Sequence, residues 1–132
     1  MGQQQLHLIV LGIILVGIAI VIGLGNFQSK AVQSNRDAVI MDLNHLASFA
    51  QAYFKKAKTY GGGDHSFAGY DIPTQLKRND NGTYNVISTQ PRKVTIEGIG
   101  VEKEGNLGCS QSNNIKYRII VEPSQTILQK IN

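Results

Sequence analysis

One cysteine in 132 residues, Cys109, leaves no partner for an intramolecular disulfide and cannot supply a four-cysteine zinc site. Stability has to come from packing. Tryptophan is absent and the prolines are three, Pro73, Pro91 and Pro123, so the stretch from Asn26 to Lys58 is free of the residue that most strongly breaks a helix. Charge is thin as well, at 17% of the chain. The thirteen Lys and Arg run from Lys30 to Lys130 without forming a patch, and a net charge of +4 spread this way argues against a nucleic-acid surface; no nucleic-acid partner is expected. No Lys or Arg precedes Lys30, so the N-terminal region lacks the basic lead of a cleaved secretory signal and is expected to be retained.

Groupings that carry chemistry are missing too. No serine sits in a nucleophile elbow, no histidine has an acidic partner at motif spacing, and Cys109 in NLGCSQS has no basic neighbour to activate it, so a buried or tolerated thiol is expected there. His7, His45 and His65 are too dispersed for a metal triad; Asp64, His65 and Asp71 come nearest to a cation site, and only weakly. GGGD lacks the strand, the helix and the Gly-Lys-Ser/Thr ending of a phosphate loop and reads as a flexible joint. Asn81-Gly82-Thr83 fits a glycosylation acceptor and a hairpin turn, and the turn is preferred. No enzymatic activity, no metal and no cofactor are expected.

What the chain does have is LHLIVLGIILVGIAIVIGLGNF. Leu8 to Leu24 is seventeen residues without a polar side chain, and Leu6 to Gly25 makes twenty with His7 as the sole interruption. Twenty helical residues reach about 30 Å, the thickness of a bilayer's hydrocarbon layer. From Asn26 onward the pattern turns amphipathic: Val39, Leu43, Leu46, Ala50, Tyr53 and Ala57 recur at steps of four and three, which predicts a helix packing that stripe on the rest of the fold. The spacing therefore predicts one helix over 1–58, apolar over 6–25 and amphipathic over 26–58, stopped by Gly61-Gly62-Gly63. The remainder, 59–132, reads as a globular head. Asp64 to Leu76 is loop-like, and Thr83–Thr89, Lys93–Lys103, Ile115–Glu122 and Thr126–Ile131 alternate as strands. Val94, Ile96, Gly98 and Gly100 share one face of the second of these. The fold class expected is α+β, with an antiparallel sheet of three or four strands in sequence order and the amphipathic half-helix covering one face.

A long N-terminal helix, apolar then amphipathic, ahead of a small antiparallel sheet resembles a type IV pilin or pseudopilin. The likeness covers the whole chain in layout and its N-terminal third in sequence. It implies a structural subunit of an extracellular, pilus-like filament. The helix would first hold the subunit in the inner membrane with the head outside the cytoplasm, then leave lipid and bundle with copies of itself in a helical homopolymer extended by pilus-type assembly machinery. The residues that would pack such a core are Leu8, Leu11, Gly12, Ile14, Leu15, Gly17, Ile18, Ala19, Val21, Ile22, Gly23 and Gly25. The glycines allow backbones to approach, and Ala19 and Gly23 stand at small-xxx-small spacing. In that family a leader ending in glycine is removed and a glutamate follows shortly after the cut. A cut after Gly2 would make Gln3 the first residue and put His7 in the glutamate's place, leaving the amides of Gln3, Gln4 and Gln5 as candidates for ordering neighbours. The family's disulfide-closed loop has no counterpart, since Cys109 is alone. Lys30 and Arg36 follow the apolar run, and charge bias alone would put the head in the cytoplasm, where the resemblance puts it outside. Two other readings share this layout: a single-pass membrane protein with a small β-rich interaction head that does not polymerise, and a secretion-system pseudopilin.

Overall fold

A computed structural model of the chain describes residues 2–104 and 113–131, and for Glu104 the backbone alone. The expectation for Cys109 lies outside the described residues. The first element is one unbroken helix, α1 (Gly2–Lys55), 54 residues long. At 1.5 Å per residue it extends about 81 Å. Among the described residues its apolar window is buried by nothing, whereas its second half buries Val39, Leu43, Leu46, Ala47, Ala50 and Phe54.

The helix ends three residues earlier than the spacing predicts. Ala57 is exposed beyond the last turn and does not pack on the sheet, a correction to the expected stripe. The apolar spacing continues in the sequence, but the chain stops being helical because the following loop folds back on the last turn. Gly63 N–H donates to the Tyr53 carbonyl at 2.8 Å, His65 N–H to Phe54 at 2.8 Å and Asp64 N–H to Lys56 at 2.9 Å. These bonds satisfy carbonyls that a helix end leaves open. A 3-10 turn, Lys58–Tyr60, intervenes and is closed by Gly61 in the left-handed region at φ +76°. Gly62 and Gly63 are buried, and a side chain on either would collide with the backbone of Lys56 or Ser66, so the triple glycine is a packed cap rather than a slack joint.

Four strands follow: β1 (Gly82–Gln90), β2 (Lys93–Glu104), β3 (Asn113–Val121) and β4 (Thr126–Lys130). They lie in sequence order, every neighbouring pair antiparallel. The fold is α+β, with the long helix across one face of a four-stranded sheet. Alternation decides which face is covered. Val94, Ile96, Gly98 and Gly100 of β2 and Ile115, Tyr117, Ile119 and Val121 of β3 are buried towards α1, with intervening residues half-exposed. Phe67, Tyr70 and Ile72 from the loop close the far end of this core, Phe54 and Phe67 stacking at 4.7 Å. The opposite face carries the Glu97–Arg118 pair at 3.2 Å. β4 lies beyond the helix's cover and is exposed along its length.

Candidate functional site

Two regions stand out: the bare half of the rod, and the seat where the head grips it. In the bare half every large apolar side chain from Leu6 to Leu24 is between 48% and 72% exposed. Leu8, Leu11, Gly12, Ile14, Leu15, Gly17, Ile18, Ala19, Val21, Ile22 and Gly23 are all exposed, and Gly25 is half-exposed. Helix α1 is long and apolar enough to cross a membrane. Nothing lies within 4 Å of where a Cβ would stand on Gly12, Gly17, Gly23 or Gly25. Each glycine in a helix costs about 1 kcal/mol relative to alanine, and no contact among the described residues offsets it. At the tip, His7 donates from Nδ1 to the Gln3 carbonyl at 2.6 Å.

The seat is built from residues that the apolar spacing passes over. Val39, Leu43, Leu46 and Ala50 are buried as expected, and Tyr53 packs half-buried at the edge, its ring 5.4 Å from that of Tyr70. Beside this stripe stands Asp42. One carboxylate oxygen, Oδ2, accepts hydrogen bonds from the Tyr84 hydroxyl at 2.6 Å, Asn79 Nδ2 at 2.8 Å and Asn81 Nδ2 at 2.9 Å. Burial pushes the Asp42 carboxyl up, but these three bonds outweigh it and hold the group below its ordinary value. Burial first, and then the Asp42 carboxylate, push the Tyr84 phenol well above its usual range. Two turns earlier Asn35 donates to the Asn81 carbonyl at 2.8 Å and accepts from the Glu102 N–H at 3.2 Å. A helix, the 79–82 turn and β2 are thereby tied together at one end of the head.

Asn79 Oδ1 accepts from the backbone N–H of Asn81 and of Gly82, both at 3.0 Å, so the turn spans Asn79 to Gly82 with the Asn81 amide engaged with the helix, and of the expected Asn81-Gly82-Thr83 turn Gly82 and Thr83 already open β1. Close approach here depends on glycine. On the covered face of β2 a Cβ at Gly98 would lie 3.1 Å from the Tyr84 ring and 3.2 Å from Leu43, and one at Gly100 would run into Asn35 Oδ1. The expected face of β2 is correct, but the reason for its two glycines is that α1 crosses the sheet there. Asp42, Asn35 and Tyr84 had no mark in the sequence beyond the Asn79-Asp80-Asn81-Gly82 turn signal and an acid one residue from the apolar stripe.

The remaining candidates resolve simply. Asp64 and His65 lie 3.7 Å apart, both exposed, while Asp71 is committed to Lys77 at 2.8 Å. Among the described residues no group of three or more His, Cys, Asp or Glu is placed to hold a metal ion. The aromatic residues near the helix end divide between core (Phe54, Phe67, Tyr70), the half-buried Tyr53 and the exposed Tyr60. No protein-family model, no curated protein and no solved structure matches this chain.

Proposed function

We propose that the chain is the structural subunit of an extracellular pilus-like filament, inserted through Leu6 to Gly25 into the inner membrane before assembly and bundled through the same residues afterwards. The observation that carries this reading is a rod of helix, fully apolar on every side, that is continuous with a helix firmly seated on a folded head. A helix apolar all round requires an apolar environment that the described residues do not supply. Lipid meets the requirement for one copy and other rods meet it for many. Lipid and protein are almost equally apolar, so assembly is driven by van der Waals contact and close packing rather than by escape from water. The uncompensated Gly12, Gly17, Gly23 and Gly25 support it: glycine is useful in such a rod where another backbone comes near. The heads would then form the outer wall, held at a fixed angle by the seat around Asp42.

The test is physical. Material sheared from cells that make the chain should contain thin, high-molecular-weight fibres composed of it, and fibre images should show parallel rods inside and heads outside. Recovery of detergent-dependent monomers alone from the membrane would favour the single-pass reading. Short stubs confined to the envelope would favour the pseudopilin.

A further inference from the structure

Asn81-Gly82 is the one Asn-Gly step in the sequence. Asparagine is chemically labile, and a following glycine has no side chain to screen its backbone nitrogen, so this pairing is the one most open to self-deamidation. The reaction needs water and no catalyst. Gly82 N, once it gives up its proton, attacks Asn81 Cγ; a nitrogen–carbon bond forms, the bond from Cγ to Nδ2 breaks, and ammonia leaves with the proton. Water then opens the five-membered imide at either of its two carbonyls, giving aspartate or isoaspartate at position 81.

Both residues are fixed by the fold. A Cβ at Gly82 would run into the Ile99 carbonyl oxygen, so β1 approaches β2 there only as glycine, and Asn81 Nδ2 is one of the three donors to Asp42 Oδ2, at 2.9 Å. The atoms that the reaction uses are all engaged. Nδ2, which has to depart, is tied to Asp42; the Gly82 N–H, which has to lose its proton, donates to Asn79 Oδ1 at 3.0 Å. The Asn81 carbonyl accepts from Asn35 Nδ2 at 2.8 Å and from the Val101 N–H at 3.2 Å, which holds the peptide between the two residues, and Gly82 is buried and paired with Gly100. Two of these holds, through Asn35 and Asp42, come from α1.

We infer that Asn81 is a self-deamidation site guarded by the seat: it stays an amide while α1 holds the 79–82 turn and converts to aspartate or isoaspartate when α1 lets go. The conversion is one-way. A carboxylate at 81 has no N–H to offer Asp42 and puts a second negative group where the donor stood, 2.9 Å from Oδ2, and like charges that close oppose each other. Isoaspartate also adds a carbon to the main chain where β1 begins, against the pairing of Gly82 with Gly100. A head that has come off its helix is thereby marked and kept from reseating as before.

The full chain in detergent, incubated in mildly alkaline buffer and then digested with trypsin, reports the site on the peptide from Asn79 to Arg92. Fragmentation separates position 81 from Asn79 and Asn85, and chromatography separates isoaspartate from aspartate. The folded chain should keep the Asn81 amide long after the same chain in urea has lost it, a comparison that needs no substitution. Slow chemistry on an open form follows the population of that form. The loss of about 2–3 kcal/mol expected for Asp42→Ala should therefore speed conversion about 30- to 140-fold, at 1.4 kcal/mol per tenfold, with the rate in urea as the ceiling. Equal rates in the folded and urea-unfolded chains, or an Asp42→Ala chain that converts no faster than the parent, overturns the inference. Asn81→Asp should destabilise the head in urea unfolding, and adding Asp42→Asn, which exchanges the two groups, should restore part of the loss. A double variant no more stable than Asn81→Asp alone refutes the one-way step.

Discussion

Replacing Asp42 by alanine tests whether a single carboxylate fastens the head to the rod. The side chain accepts three hydrogen bonds through Oδ2, from Tyr84, Asn79 and Asn81. A hydrogen bond to a charged group contributes about 1.5–3 kcal/mol. The three share one oxygen and the site is only half-buried, so they do not add; a loss of about 2–3 kcal/mol is expected, most of it from stranding the buried Tyr84 hydroxyl. Tyr84→Phe keeps the ring in the core and removes one donor, for a loss of about 1 kcal/mol. Urea unfolding of the full chain in detergent, followed through the sheet signal, measures both. The double variant should lose less than the two single losses combined. The pH dependence supplies an independent check. Asp42 is held below its ordinary 3.8, so its contribution is complete above that pH and disappears as pH falls through the lower folded value. Tyr84 is raised from 10.0, so its contribution is complete below pH 10.0 and fades as pH climbs above it. Asp42→Ala should flatten the acid limb. Tyr84→Phe should weaken the alkaline limb without abolishing it, because Tyr70 is also raised, by burial first and by Asp71 second. An Asp42→Ala chain unfolding within about 0.5 kcal/mol of the parent would refute the reasoning, since that is the scatter of an ordinary surface substitution.

Leu43 is fully buried where α1 crosses the sheet, and Leu43→Ala should cost about 2–5 kcal/mol by the same unfolding assay. Gly100→Ala pushes a methyl group into Asn35 Oδ1 and against Ile115 and Val39; displacing Asn35 breaks its bonds to Asn81 and Glu102, and a loss of about 1–3 kcal/mol is expected. Leu15→Arg should behave oppositely. Leu15 is 59% exposed and is not among the residues packed on the described core of the head, so head stability should be unchanged, whereas membrane insertion should weaken by about 2.5–3.5 kcal/mol, read as a shift of the chain out of the membrane fraction.

How much of this is legible beforehand follows from the range of each signal. The helix and its two halves are local properties: seventeen apolar residues in a row, then a stripe at steps of four and three, and the fold repeats both. The strands are local too, and their ends fall within two residues of the expected ones. Ala57 shows where a local signal overreaches. Its spacing continues the stripe, but the helix stops at Lys55 because N–H groups from Gly63, Asp64 and His65 return to carbonyls of the last turn and the residue after it, an event that no periodicity encodes. The same holds for the glycines. Gly62 and Gly63 read as slack and are packed against backbone; Gly98 and Gly100 read merely as small members of a strand face and are the places where helix and sheet come closest.

The seat around Asp42 was out of reach for a related reason, and that reason bears on what the rod can do. Asn35 and Asp42 meet Asn79, Asn81, Tyr84 and Glu102 across separations of 37 to 67 residues. None of these residues is unusual where it stands in the sequence. Together they gather at the rod-proximal end of the head, where any swing of the head about the rod would first open a gap. Apolar packing along Val39, Leu43, Leu46 and Ala50 resists separation, but it is non-directional and would tolerate rotation or sliding. Hydrogen bonds with donors from two sides tolerate neither. A head locked at one angle and one height converts any fixed stagger between rods into a fixed contact between heads. That makes the polar seat, rather than the larger apolar core, the part of the head on which a regular polymer would depend. Asp42→Ala should therefore disturb the regularity of fibres at conditions where the head is still folded.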